Sequence, residues 1–139
     1  MSRWILDTDS LTLLYYGNAP LQRKVQEFSP DVCVTVISVE EQLTGWYSLL
    51  RQKHTPAQLA MVYGRLTQTL TFLKDFTVLN FDEASIHRYQ GLQTLKLNVG
   101  KPDLRIAAIA LEHSATVISR NGRDFGRVPG VNWEDWSAA

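Results

Sequence analysis

Apolar and polar positions along this chain fall into blocks whose period changes from two to nearly four. Trp4-Ile5-Leu6 is a short apolar run that stops at Asp7-Thr8-Asp9-Ser10, which predicts a buried first strand. Asp9 and Ser10 then cap a helix over Leu11 to Tyr16. Gly17-Asn18-Ala19-Pro20 ends it, and Pro20 opens a short amphipathic helix with Leu21, Val25 and Phe28 on one face. Ser29-Pro30-Asp31 reads as a turn, and the β-branched run Val32 to Ile37 as a second buried strand. Ser38 opens a helix to about Lys53 with Leu43, Trp46, Leu49 and Leu50 as its apolar stripe. His54-Thr55-Pro56 breaks it, and a long helix from Pro56 to Leu73 carries Leu59, Val62, Tyr63, Leu66, Leu70 and Leu73 inward. Thr77 to Phe81 is a third strand, and Asp82 caps a helix to about Leu97. After the loop Asn98 to Pro102, Asp103 to His113 is helical, with Ala107, Ala108 and Ala110 permitting close approach to a sheet. Ala115 to Ser119 is a fourth strand, followed by a polar loop from Arg120 to Arg127. Val128 to Val131 and Trp133 add a short fifth strand.

Strands alternating with helices predict an α/β fold of three layers, a parallel sheet of four to five strands covered on both faces. Right-handed crossovers favour the order 3-2-1-4-5, with the first strand central. The chain then switches direction between strands one and four, where an open α/β sheet gathers its ligands. Asp7 emerges at that edge.

Composition narrows the function. The 139 residues fit one domain spanning 1–139, with no repeat, linker or low-complexity stretch. The 14 basic and 14 acidic residues cancel, so any nucleic-acid binding must come from a local cluster. Cys33, the single cysteine, excludes an internal disulfide and a cysteine-based zinc site. No apolar run approaches the ~18–20 residues of a membrane helix, and Asp7 interrupts any signal-peptide core. The expectation is a soluble, intracellular, cytoplasmic protein with no membrane partner.

Three further acids have addresses at the edge where Asp7 lies. Glu41 is in the first turn of the helix after strand two, and Asp124 is in the loop after strand four. Asp103 begins the helix that runs antiparallel to strand four, so its amino end lies at the same edge. Four carboxylates gathered there would repel one another and raise their own pKa values. A divalent cation such as Mg2+ or Mn2+, which prefers hard oxygen ligands, resolves that repulsion. The chemistry that fits is metal-assisted phosphodiester hydrolysis. There is no P-loop, no G-x-G-x-x-G and no G-x-S-x-G, and His54, His87 and His113 are given no role.

Each acid also has a plain structural reading. Ser38 and Glu41 have the S-x-x-E spacing of a capping box, which taken alone stands ahead of catalysis. Asp103 suits the positive end of a helix dipole, Asp124 a turn, and Asp9 a helix cap. Asp7 is the hardest to explain structurally, and the signal lies in the coincidence of the four. Lys96, Lys101, Arg105, Arg120, Arg123 and Arg127 flank the last two acids. They read either as a solvated surface or as a phosphate-gripping rim, with Lys101, Arg105, Arg120 and Arg123 as the RNA phosphate contacts. Ser119 and Asn121 are placed to bind a phosphate or orient Asp124. Trp46 and Tyr47 are candidates to stack on bases, although the helical setting of Trp46 also suits a core.

These residues resemble the PIN-domain ribonucleases, and most closely the VapC toxins of bacterial toxin–antitoxin pairs. Ile5-Leu6-Asp7-Thr8-Asp9 is similar to the family's opening L-D-T-[ND]. Ile37 to Gly45 resembles its second motif, a hydroxyl residue, an acid and then Gly four later, which selects Glu41 over Glu40. Pro102-Asp103-Leu104-Arg105-Ile106-Ala107-Ala108 resembles D-x-x-I-A-A, and Ser119-Arg120-Asn121-Gly122-Arg123-Asp124-Phe125 resembles [ST]-x-N-x-x-D-F. The resemblance spans nearly the whole chain. It implies a PIN-like fold and Mg2+- or Mn2+-dependent endonuclease action on RNA. It also implies a homodimer inhibited by a small antitoxin. By position, Asp7, Glu41, Asp103 and Asp124 are its acidic quartet, Asp7 and Asp103 its principal metal ligands, and Thr8 and Asn121 supporting residues. Two positions depart from the pattern: Gln42 where an apolar residue is usual, and Asp9 where many members have Asn.

Two rival readings remain. Asp7-Thr8-Asp9 resembles the D-x-D opening of haloacid-dehalogenase-like aspartyl phosphohydrolases, with Asp7 as nucleophile, though the Gly-Thr that usually follows is absent. A non-catalytic PIN-like module that binds RNA or protein is the other.

Overall fold

In the computed structural model, which describes residues 3–138, five parallel strands form one sheet in the order β3-β2-β1-β4-β5. The strands are β1 (Trp4–Leu6), β2 (Val32–Thr35), β3 (Thr77–Leu79), β4 (Thr116–Ile118) and β5 (Asn132–Glu134). The expected strand order is therefore observed. The helices are α1 (Thr8–Tyr15), α2 (Ala19–Phe28), α3 (Val36–Leu50), α4 (Pro56–Leu73), α5 (Glu83–Gln93), α6 (Lys101–Glu112) and the single turn α7 (Gly122–Phe125).

Strand periodicity divides the core into two layers, because successive side chains point to opposite faces. Ile5, Cys33 and Val117 enter one cluster with Tyr89 and Leu92 of α5 and Leu104, Ile106 and Ile109 of α6. Their neighbours Leu6, Val34 and Ile118 enter the other, with Leu11 and Leu14 of α1, Leu21 of α2 and Leu73 of α4. Cys33 is buried and free, as its apolar setting predicts. Among the described residues no helix is long and apolar enough to cross a membrane.

Several element boundaries differ from the sequence reading. α1 starts at Thr8 because Asp7, not Asp9 or Ser10, is its N-cap, accepting a 2.8 Å bond from Ser10 N–H. β2 stops at Thr35, whose side chain caps α3 by accepting from Ser38 N–H at 3.3 Å. Ser38 is therefore already helical, and the expected Ser38–Glu41 capping box does not form. α3 and α5 end earlier than expected, the latter before Lys96 and Asn98, which adopt φ of 51° and 59°. α6 begins at Lys101 with Pro102 in its first turn, where the missing N–H costs nothing. The final strand is Asn132–Glu134, so of the expected Val128 to Val131 and Trp133 only Trp133 belongs to it, with Thr116 paired to Asn132, Val117 to Trp133 and Ile118 to Glu134. The apolar stripes of α3 and α4 are only partly covered: Leu49, Leu59, Tyr63 and Leu70 are exposed.

Candidate active site

The carboxyl edge of β1 and β4 opens into a depression of about 560 Å³ lined by Asp7, Thr8, Asp9, Glu41, Asp103, Arg120 and Asn121. Asp7 is its floor, only 3% exposed. The backbone N–H of Asp7 donates to Ile118 O at 3.0 Å, so its position is set by the β1–β4 pairing. Its Oδ1 accepts from Ser10 N–H and its Oδ2 from Ser119 Oγ at 2.6 Å. Ser119 in turn accepts from Asn121 N–H at 2.8 Å, which fixes the start of the loop after β4. Burial pushes the Asp7 carboxyl above the usual range, against the lowering effect of those two bonds.

Asp103 sits in the first turn of α6, half-buried and facing Asp7 across the switch point. Desolvation, followed by the negative charge of Asp7, pushes its carboxyl up to about 6, with smaller repulsion from Glu41 and Asp124. Asn121 Nδ2 donates to Asp103 Oδ2 at 3.2 Å and to Asp124 Oδ2 at 3.0 Å, tying α6 to α7. A side-chain amide supplies two N–H donors, one for each carboxylate. Glu41 accepts from Thr8 Oγ1 at 2.6 Å, and Thr8 Oγ1 lies 2.9 Å from Ser38 Oγ. Thr8 has one proton and gives it to Glu41, so Ser38 is the donor to Thr8. Glu41 is thus freed from the cap that its spacing with Ser38 suggested, and is aimed instead across to α1.

The structure therefore gathers all four predicted acids with Thr8, Ser119 and Asn121. The basic residues distribute less uniformly. Arg120 forms a two-point pair with Asp9, Nε to Oδ2 at 2.8 Å and Nη2 to Oδ1 at 2.9 Å, on the rim of the depression. Arg123 is exposed, 3.8 Å from Asp124. Arg127 donates to Asp124 Oδ1 at 3.4 Å and to Asn98 O at 3.0 Å. Lys101 is exposed at the start of α6, whereas the Arg105 guanidinium lies 5.2 Å over the Tyr89 ring. The Asp9–Arg120 pair was not legible, because its partners are 111 positions apart. Nor was the hydroxyl relay through Thr8, which only the α1–α3 contact creates.

The donor set is hard oxygen throughout, with no thiol or imidazole lining the depression. Among the described residues no three acidic, imidazole or thiol side chains are gathered tightly enough to cage a cation by themselves. A set of carboxylate, hydroxyl and amide oxygens fits Mg2+, which takes one or two carboxylates and keeps several waters. Burial first and the neighbouring carboxylates second raise the Asp103 carboxyl, and a bound cation would offset both.

Comparison with known proteins agrees with the motifs. No protein-family model matches the chain. A tRNA(fMet)-specific endonuclease VapC of Salmonella typhimurium is 28% identical over 142 residues, covering 98% of this chain and 99% of that protein. A DNA-bound VapBC complex from Salmonella typhimurium contains a chain with a TM-score of 0.79 and 21% identity, covering 98% of this chain and 99% of that one. VapBC-1 of nontypeable Haemophilus influenzae gives a TM-score of 0.73 at 23% identity, covering 99% and 100%. VapBC2 of Rickettsia felis, bound to a promoter fragment, gives 0.75 at 20%, covering 98% and 99%. The fold is thus the PIN-like three-layer arrangement of those proteins, and the likeness to VapC read from the four motifs is borne out.

Proposed function

We propose that this chain is a metal-dependent endoribonuclease of the VapC type, hydrolysing RNA phosphodiester bonds as the toxin of a toxin–antitoxin pair. The observation that carries the reading is the convergence of Asp7, Glu41, Asp103 and Asp124 at the sheet's switch point, with the Asp103 carboxyl pushed up to about 6 by burial and then by the charge of Asp7. The Salmonella relative supports the ribonuclease assignment, and the VapBC structures support a small antitoxin partner. A second copy of the chain and a cytoplasmic setting belong to the same reading, on the strength of the motif resemblance.

Asp7 and Asp103 are the residues to hold Mg2+, for which Mn2+ substitutes. When bound, the cation supplies charge neutralisation, an acidified water and a contact for a phosphate oxygen. Ser10 N–H and Ser119 Oγ hold the Asp7 carboxylate in one orientation, leaving its remaining lone pairs to face the depression. Below about pH 6 a proton resides on Asp103, so the site offers its full anionic set only above that value. Thr8 fixes Glu41, and Asn121 fixes Asp124, as acceptors for an attacking water. Arg120 spends two of its five N–H donors on Asp9 and keeps the others for a phosphate. Arg123 and Lys101 extend that positive rim.

The buried, doubly bonded state of Asp7 weighs against its service as a nucleophile, and a complete quartet weighs against a purely binding module. The deciding experiment incubates purified chain, stripped of any partner, with a mixed RNA pool in Mg2+, Mn2+ or EDTA. Cuts are expected with either cation and none with EDTA. Asp103→Asn is expected to lower the rate at least about 100-fold, since changes merely beside a metal's ligands already cost 10–100-fold. Cleavage in EDTA, or by the variant at the wild-type rate, would overturn the assignment.

A further inference from the structure

A second concavity adjoins the acidic depression. It has a volume of about 320 Å³, lies between α1, α3 and α4, and shares Thr8 and Glu41 with the acidic centre. Its walls are Tyr15, Tyr16, Trp46, Leu49 and Phe72, with Gln42 at the end nearest Glu41 in sequence. The volume is at the lower bound for small-ligand sites, about 300–1,000 Å³.

The aromatic walls are set in place by their polar ends. Trp46 Nε1 donates to Thr69 Oγ1 at 2.8 Å, and buried Thr69 donates to Arg65 O at 2.9 Å. Tyr15 Oη donates to Gln68 Oε1 at 3.0 Å, and its ring meets Tyr16 and Phe72 edge-on at 5.1 and 5.2 Å. Tyr16 is 67% exposed, so a ring face remains open to solvent. Gln42 carries a second, independent signal. Its Oε1 is shut from solvent and has no hydrogen-bond donor, one of two such atoms among the described residues. An orphaned buried acceptor is costly, so its presence beside the cleft calls for a partner that supplies the missing donor.

We infer that this cleft receives one nucleobase of the substrate, flanking the phosphate held at the acidic centre, and that Gln42 reads its edge. The inference rests on the ribonuclease reading and deepens it. Single-stranded RNA is recognised by splaying bases onto aromatic side chains and hydrogen-bonding their edges. Tyr16, Trp46 and Phe72 supply the stacking surface, which tolerates any base. The Gln42 acceptor is shut from solvent as it stands, so reading a base requires the amide to turn about its soft last torsion and bring a donor and an acceptor side by side to the cleft, the pattern needed to choose among bases. The two concavities share Thr8 and Glu41, so a nucleotide whose phosphate lies at the acidic centre has its covalently attached base within reach of the cleft, and that continuity is what favours a base as occupant.

The test uses random-sequence single-stranded RNA with Mg2+, sequencing of the cut ends, and kinetics on the preferred sequence as a synthetic oligonucleotide. Tyr16→Ala and Gln42→Leu are compared with wild type and with Arg23→Ala, a remote surface control on α2. Both cleft variants are expected to raise KM about 10-fold or more, the scale of one lost base stack, with a smaller effect on kcat. Gln42→Leu should also flatten the base preference at one position beside the cut. Its Tm should equal or exceed wild type, because the orphaned acceptor is gone, so a folding defect is distinguishable. Wild-type KM and preference in both variants would overturn the inference while leaving the ribonuclease reading intact. The same would hold if the variants altered only inhibition by a protein partner. A wild-type chain that cuts no RNA removes the ribonuclease reading first, and the base site with it.

Discussion

The two helical flanks of the sheet differ in what covers their apolar residues. α6 is closed along its middle: Ile106, Ala107, Ala108 and Ile109 are fully buried between the sheet, α5 and α7. α3 and α4 lean on the sheet only in part, through Ile37 and Ser38 at one end and Val62, Thr69 and Leu73 at the other. The rest of that arm leaves Leu49, Leu59, Met61, Tyr63 and Leu70 exposed. The closed flank holds two of the four acids, since Asp103 heads α6 and Asp124 rides on α7, anchored by fully buried Phe125, while Glu41 stands at the packed start of α3. The open arm carries contact surface, including the aromatic cleft. Carboxylates must be held to a fraction of an ångström to share a site, whereas a binding face needs accessible area; one protein places the two demands on opposite degrees of packing.

The sharpest way to break that contrast is to cut the same amount of apolar side chain from each flank. Ile109→Ala leaves a cavity under β1 and β4, where neither α5 nor the sheet is free to collapse. A loss of about 2–5 kcal/mol in urea unfolding is expected. A loss under 1 kcal/mol would show that α6 is not the rigid member.

The closed flank was also the legible one. Short apolar runs, alanines at helical spacing and crossover handedness together were enough for strand order and for the four acids' common edge. The arm misled because a 3.6-residue period reports that one side of a helix is apolar, not what covers it; Leu49 and Leu70 match the template as well as Ile109 does. Glu41 misled differently. Thr35 and Ser38 both offer a capping hydroxyl three residues apart, and the choice fell to Thr35 through pairing in the sheet, where Thr35 sits opposite Leu79. Asp7 was the acid hardest to explain structurally, yet it caps α1. A residue can serve both purposes when its carboxylate has lone pairs to spare. Gln42 was noted only as an odd letter at a usually apolar position; that its acceptor is orphaned is a tertiary fact.

The closed flank should respond to pH more than the arm does. Asp103 is pushed up to about 6 by burial and by Asp7, and Asp7 is itself raised by burial. In the unfolded chain both titrate near about 4. Between those values the native state binds more protons than the unfolded state, so stability falls as pH rises from about 4 through about 6. The stabilisation is complete below the unfolded value and gone above the folded one. Tm of EDTA-treated protein should decline across that window, by less than the Ile109→Ala effect because Asp103 is only half-buried and solvent screens it. Asp103→Asn should flatten the decline, and Mg2+ at pH 7 should recover Tm. A Tm that climbs between pH 4 and 6 and is unchanged by Asp103→Asn would contradict the electrostatics assigned to the site.

The smallest effect is expected on the arm, and it carries the most information about partners. Leu70 is 53% exposed on α4. Leu70→Ala removes little buried area and substitutes the best helix former, so dilute protein should change by no more than about 0.5 kcal/mol. Repeating the melts at rising protein concentration separates two arrangements. If the arm stays bare, wild type and variant keep the same Tm difference at every concentration. If a second copy covers it, wild-type Tm climbs with concentration by mass action while the variant lags, because Leu70 then counts as a core residue of the dimer. The first result would mean that no second copy covers the arm. The second would mean that the open flank is closed too, by another chain rather than by its own sheet.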